Sequence, residues 1–207
     1  MPSPIIHLDV LVKLCRLMNR PLSSALVLGV ISPDAIHRRL KQTWADKAKT
    51  HFYEETSVSY EYALQEARQL LQDSPADFLM GYLIHLYTDY VWRDQVYAPY
   101  FHAYKDRMPK SLLYEHYYHD MDQLDRRVLS QATWIDEIRQ RFMEIDSAEW
   151  AMPLLTSQEL MGWKDKVLTQ DLVNQRDLEA LDVLSLNDVH RVCEDLLDQL
   201  VTFFEKT

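Results

Sequence analysis

The chain has little glycine, 3 residues in 207, and no segment alternates apolar and polar positions long enough to specify a half-buried strand. Folds built from pleated sheets and tight turns are therefore excluded, and an all-α architecture is expected. Cysteine is scarce too. Cys15 and Cys193 stand far apart with no CxxC spacing, so neither a disulfide scaffold nor a thiolate zinc site is indicated. Positive charge is in deficit, with 22 Lys and Arg against 32 Asp and Glu and a net charge of -10. Such a field opposes loose binding to nucleic acid or anionic membrane, and leaves room only for a locally cationic site. A basic leader followed by a long apolar run is missing, and the longest apolar segment is interrupted by His85 and Asp89. A soluble, cytoplasmic protein without stable membrane association is the expectation.

What the chain does contain suits one hydrophobic core. It is 47% hydrophobic, with 12 tyrosines, 8 methionines and 5 tryptophans. No repeat, low-complexity tract or linker divides residues 1–207, so a single multi-helix domain is expected. Leu8, Leu11, Val12, Cys15 and Met18 recur at helical spacing after Pro4, which predicts a first helix ending near Asn19-Arg20-Pro21, with His7 near its start. Residues 22–31 form a short buried helix, and Ser32-Pro33-Asp34 places Asp34 on a loop. A polar, basic stretch from Trp44 to Thr50 precedes His51, and residues 55–71 are helical. Ser74 is expected to cap a helix that begins at Pro75 and runs to about Trp92. Further helices are expected over 96–107, 111–130, 133–144, 157–169 and 186–205.

The helix over 78–92, FLMGYLIHLYTDYVW, is apolar or aromatic at every position except Gly81, His85, Thr88 and Asp89. Such a helix is buried on most sides. At about 100° per residue, Gly81, His85, Asp89 and Trp92 share one narrow stripe. An unpaired carboxylate there would cost several kcal/mol, so Asp89 needs a cation or several donors. Residues at i and i+4 stand roughly 5–6 Å apart, close enough to share one metal ion. The alternative is a core histidine hydrogen-bonded to its own i+4 aspartate. His7, Asp34 and His51, each near a helix boundary, favour the metal.

The order of these residues resembles the zinc-dependent phospholipase C and P1/S1 nuclease superfamily, particularly its small bacterial members. The resemblance rests on IIHLDV with His7, LGVISPD from Gly29 to Asp34, the DKxxxHF segment from Asp46 to Phe52, and GYLIHLYTDYVWR from Gly81 to Arg93, and covers roughly the first 125 residues. It implies that Asp34, His51, His85 and Asp89 surround one metal while His7 and Asp89 approach a second, with Asp89 bridging. The family's secreted enzymes complete the second site with a mature N-terminal tryptophan, whereas this chain begins Met-Pro. They hold another metal through a histidine shortly after HxxxD, where Gln95 stands here, and through a later His-x3-Glu/Asp pair, which His116 and Asp120 match. Asp120 and Asp125 equally match an acidic DxxxxD helix of the small bacterial relatives, and a solvated acidic face containing His119 and Asp122 is a third possibility. His37, His102 and His190 have no matching context and are taken as surface or core histidines.

Imidazole and carboxylate ligands suit Zn2+, with one to three ions, although Fe, Mn or Ni would also fit. Metal-activated water would then hydrolyse a phosphoester, with Asp34 orienting or deprotonating the water. Lys47, one turn before His51, is a candidate phosphate contact beside the alternative of a solvated lysine, and Trp92 either lines the pocket or packs in the core. A small soluble phosphoester is the expected substrate. Two other functions compete. An HD-type phosphohydrolase would use the doublet His119-Asp120 but leaves His85 and Asp89 unexplained, and a non-catalytic metal-binding helical protein would keep only some of the ligands.

Overall fold

The computed structural model describes residues 1–53, 60–146, 150, 152–174 and 176–206. Helix α1 (Pro4–Leu17) starts at Ser3, whose hydroxyl accepts the Ile6 N–H, with Pro4 in the first turn. Helix α2 (Ser24–Ile31) starts in the same way from Ser23. A 3-10 turn (Ser32–Arg38) leads to α3 (Trp44–Thr50), then come α4 (Tyr60–Leu70) and the central α5 (Ala76–Trp92). A π-turn (Arg93–Tyr97) joins α5 to α6 (Ala98–Tyr104). Helices α7 (Lys110–Gln131), α8 (Ile135–Met143), α9 (Ser157–Lys166) and α10 (Leu186–Glu205) complete the bundle, and no strand occurs among the described residues. The fold is all-α, gathered on one hydrophobic core.

Helices α2 and α5 touch backbone to backbone. A Cβ at Gly81 would lie 2.4 Å from the Leu26 carbonyl oxygen, and one at Gly29 would lie 2.2 Å from that of Phe78. Gly81 therefore admits another backbone. With α1, α4 and α10 also packed on it, α5 is buried on nearly every side, as expected of a helix that is apolar all round. Helix α1 crosses this pair and also contacts α7 and α10. Helix α9 packs along the 3-10 turn, where Arg39 donates to Glu159 of α9 and to Asp46 of α3.

Several expected boundaries moved. Asp34 sits in a 3-10 turn rather than an open loop, because Pro33 supplies a helical φ at its start. The stretch before His51 is helical. Thr43 accepts the Asp46 N–H and the Asp46 side chain accepts the Thr43 N–H, a capping box that starts α3. Pro75 occupies the cap of α5 without a side-chain cap, so Ser74 lies one residue too early for the role expected of it. Of the helix expected over 55–71, residues 55–59 lie outside the described residues. The helix expected over 157–169 ends at Lys166 and continues as a π-turn (Val167–Asp171). Among the described residues, no helix is long and apolar enough to cross a membrane.

Candidate metal centre

Five side chains from four segments meet beside the α2–α5 contact: His7 of α1, Asp34 of the 3-10 turn, His51 at the end of α3, and His85 and Asp89 of α5. All five are buried. Each is held by its own segment. His85 Nδ1 donates to the Val30 carbonyl at 2.8 Å, a bond made possible by the close approach of α2, and this aims Nε2 at Asp89. His51 Nδ1 donates to the Lys47 carbonyl at 3.0 Å, which turns its Nε2 towards Asp34 and Asp89. The end of α3 is anchored by Tyr82, whose hydroxyl donates to the Thr50 carbonyl at 2.5 Å. Phe52 then adopts φ 54°, a left-handed conformation unusual for an aromatic residue, and lets the Tyr53 N–H close on the Ala48 carbonyl at 2.8 Å. That strained residue separates two groups that both face Asp89.

The two Asp89 oxygens look in different directions. Oδ1 faces His7 Nε2 at 3.4 Å, and Oδ2 faces His51 Nε2 at 3.6 Å and His85 Nε2 at 3.8 Å. His51 Nε2 also stands 3.3 Å from Asp34 Oδ1. The His7 and His85 rings stack at 3.8 Å with 12° between planes. Two overlapping groups of mutually close ligand atoms result, His7, His85 and Asp89 in one and Asp34, His51 and His85 in the other.

These atoms are close without being satisfied. His7 Nε2, His51 Nε2, His85 Nε2 and Asp89 Oδ1 are buried and find no hydrogen-bond partner among the described residues. Buried polar atoms are rarely left so, because each costs roughly 1–3 kcal/mol. A tetrahedral ion with bonds of roughly 2.0–2.1 Å holds its ligand atoms about 3.3 Å apart, near the spacing seen here and longer than good hydrogen bonds. The donor set and its orphaned atoms fit a metal such as zinc.

Burial and neighbours decide the charges. Burial, with His7 next in effect, lowers the His85 pKa to about 3, so this imidazole is neutral and its Nε2 is a free electron pair. For Asp34, burial works upward, but the His37 and His51 imidazoles beside it and the Lys47 ammonium hold the carboxyl well below its ordinary range. Asp89 is likewise held low against its burial, by His85 and His7 first. Two buried carboxylates among imidazoles suit a cation.

Two residues at this centre have no counterpart in the expected set. Tyr53 donates its hydroxyl to Asp89 Oδ2 at 3.1 Å. His37 Nε2 stands 3.6 Å from Asp34 Oδ1. A signal for His37 is present in the sequence, because a 3-10 turn eclipses residues i and i+3 and so sets His37 over Asp34. Tyr53 carries no comparable signal, since its position depends on the left-handed turn at Phe52. Lys47 reaches Asp34 Oδ1 at 3.7 Å. Trp92 is 1% exposed and donates its indole N–H to Tyr117 at 2.9 Å, the environment of a packed core residue.

His116 and Asp120 are not brought to this cluster or paired with each other. His116 Nδ1 meets Asp182 Oδ2 at 2.7 Å. Asp120 is buried and accepts three backbone N–H groups, from Asp182 at 2.6 Å, Val183 at 2.9 Å and Leu184 at 2.7 Å. His119, Asp120 and Asp182 form a third group of close ligand atoms, partly open to solvent. Asp125 accepts from Ser3, the cap of α1.

A comparison with protein families matches residues 9–160 to the family described as zinc dependent phospholipase C. His7 lies just before the matched span, and Asp34, His51, His85 and Asp89 lie within it. No curated protein and no solved structure matches the chain. The match covers well over half of the sequence and contains four of the five clustered ligands, so the chain belongs to the zinc-dependent phospholipase C family.

Proposed function

We propose that this protein hydrolyses a phosphoester at a metal centre formed by His7, Asp34, His51, His85 and Asp89, with zinc the first choice of ion. The observation that carries this reading is the set of buried, unpartnered ligand atoms of His7, His51, His85 and Asp89, spaced as metal ligands are. An ion there would supply Lewis acidity, acidifying water towards neutral pH and neutralising charge on a phosphoryl oxygen.

The residues supply the rest. Asp89, with one oxygen towards His7 and the other towards His51 and His85, would help to hold the metal from both sides. Asp34, less buried and held as a carboxylate, is the residue to orient water or take its proton at Oδ1 or Oδ2. Tyr53 holds Asp89 Oδ2 through its hydroxyl and so fixes the direction of that carboxylate. The substrate in this reading is a small soluble phosphoester, and residues 1–207 act as one domain, with α10 outside the matched span but packed on α1.

The test is metal analysis of protein prepared without chelators and reconstituted with zinc, alongside turnover of generic phosphomonoesters and phosphodiesters. Bound metal with hydrolysis that disappears in Asp89→Ala is the expected result. Absence of metal from the wild type sinks the proposal. Bound metal with no hydrolysis of any phosphoester replaces it with a metal-binding role.

A further inference from the structure

Exposure is uneven across the centre. The side chains of His7, His51, His85 and Asp89 are 0–2% exposed, whereas Asp34 is 12%, Lys47 24% and His37 36% exposed. The centre therefore meets solvent on the side of Asp34, and a substrate arriving there passes Lys47 and His37. This edge also reverses the charge of the whole molecule. Between residues 37 and 49 the chain carries Arg38, Arg39, Lys41, Lys47 and Lys49 against Asp46 alone, although the net charge of the protein is -10. Arg39 is engaged by Glu159 and Asp46, and Lys47 is the lysine turned towards Asp34.

Lys47 has three N–H donors. Asp34 Oδ1 lies 3.7 Å away on one side and His37 Nε2 lies 3.4 Å away on another. The His37 ring is itself fixed, since Nδ1 meets Gln42 Oε1 at 2.9 Å, which places the ring proton on Nδ1 and leaves Nε2 an acceptor for Lys47. The buried Trp163 of α9 packs on the His37 ring at 5.7 Å. Two fixed acceptors thus steer the ammonium and leave its third N–H for an anion that approaches over Asp34.

We propose that this edge is a phosphate-binding subsite, in which Lys47 donates to a non-bridging oxygen of the substrate's phosphate and His37 positions Lys47. The proposal rests on the metal-centre reading given above and adds to it the group that recognises the charged end of the substrate. A lysine in this role acts as a point charge that any phosphate geometry satisfies. His37 acts through Lys47 and is a positioning residue.

The experiment measures binding of inorganic phosphate to the zinc-loaded protein by calorimetry, with metal content determined on the same samples. Lys47→Ala is expected to weaken phosphate binding by at least about tenfold at unchanged metal content, and His37→Ala to weaken it by a similar factor. The double variant should be no weaker than Lys47→Ala, and His37→Gln, which restores an acceptor for the ammonium, should recover most of the loss. In turnover the two alanine variants raise KM more than they lower kcat. Phosphate bound equally by all variants, or not at all by zinc-loaded wild type, overturns the subsite while the metal centre stands. A wild type that takes up no zinc overturns both readings, and the metal analysis tells these cases apart. Competition with phosphatidylglycerol vesicles assigns the source of the phosphate. Vesicles that displace phosphate from wild type place it on a lipid, vesicles without effect place it on a soluble ester, and both support the subsite.

Discussion

Two helices of this protein carry a histidine followed four residues later by an aspartate, and the two pairs have different surroundings. On α5, His85 and Asp89 face His7 and His51, with Nε2 atoms that no hydrogen bond satisfies among the described residues. On α7, Asp120 accepts three backbone N–H groups of residues 182–184 and lies beside His119, and His116 turns away to Asp182. The first arrangement is the one proposed above to hold a cation. The second ties the segment before α10 to the bundle by charge-assisted hydrogen bonds. Spacing along a helix states which side chains are neighbours, and the segments packed against that face determine what the neighbours do.

The largest expected difference is in metal affinity. Asp89→Asn should weaken zinc binding by roughly 10²–10³-fold, because it removes the charge facing three imidazoles, whereas Asp120→Asn should leave zinc affinity unchanged. Competition against a chromophoric chelator measures both. A loss of zinc in Asp120→Asn or His116→Ala would make the two pairs alike and give α7 an ion of its own.

Gly81→Ala is next, at about 3 kcal/mol or more, because its Cβ would strike the Leu26 carbonyl oxygen and the Val30 amide nitrogen, which belong to backbone and cannot swing aside. Chemical denaturation measures it. A change under about 1 kcal/mol would show that the α2–α5 contact is looser than described. In the same assay Asp120→Asn should cost about 2–3 kcal/mol, since the three N–H groups lose a charged acceptor, while Asp89→Asn in the metal-free protein should cost less or even stabilise.

The pH dependence of the metal-free protein follows from His85. Its pKa is about 3 in the folded protein and near 6.5 when unfolded, so the unfolded chain binds the extra proton between these values. This contribution is absent above about pH 6.5, and stability falls as the pH drops below it, by about 2 kcal/mol between pH 7 and pH 5. Asp34 and Asp89, both held low, add to the fall only below the ordinary carboxylate range. Thermal melts from pH 7 to pH 4 read this slope. Its persistence in His85→Gln would assign it to a group other than His85. The smallest effect is expected for Tyr53→Phe, which should weaken zinc binding about tenfold by freeing Asp89 Oδ2, without lowering the melting temperature of the metal-free protein.

Much of this was legible before the structure. The helical class and the buried character of α5 follow from composition and apolar periodicity, and the grouping of His7, Asp34, His51, His85 and Asp89 is what the family resemblance implied. Helix starts were less legible where the cap is a side-chain box rather than a break, as at Thr43 and Asp46, because such a box is two ordinary polar residues until the chain closes on it. Tyr53 was not legible at all. Its reach to Asp89 depends on a left-handed Phe52, and φ at one residue leaves no trace in hydrophobic pattern.

By itself, the sequence determined which residue types had to be buried together, since a helix apolar on nearly every side has nowhere else to put an acid and an imidazole. Only the tertiary structure decided that His85 points its Nε2 inward, that Asp89 divides its oxygens between His7 and the pair His51 and His85, and that Asp120 accepts from the backbone of residues 182–184. The reason is that direction and satisfaction of a polar atom are set by groups distant in sequence, here the Val30 carbonyl fifty-five positions before His85 and the amides of 182–184 more than sixty positions after Asp120.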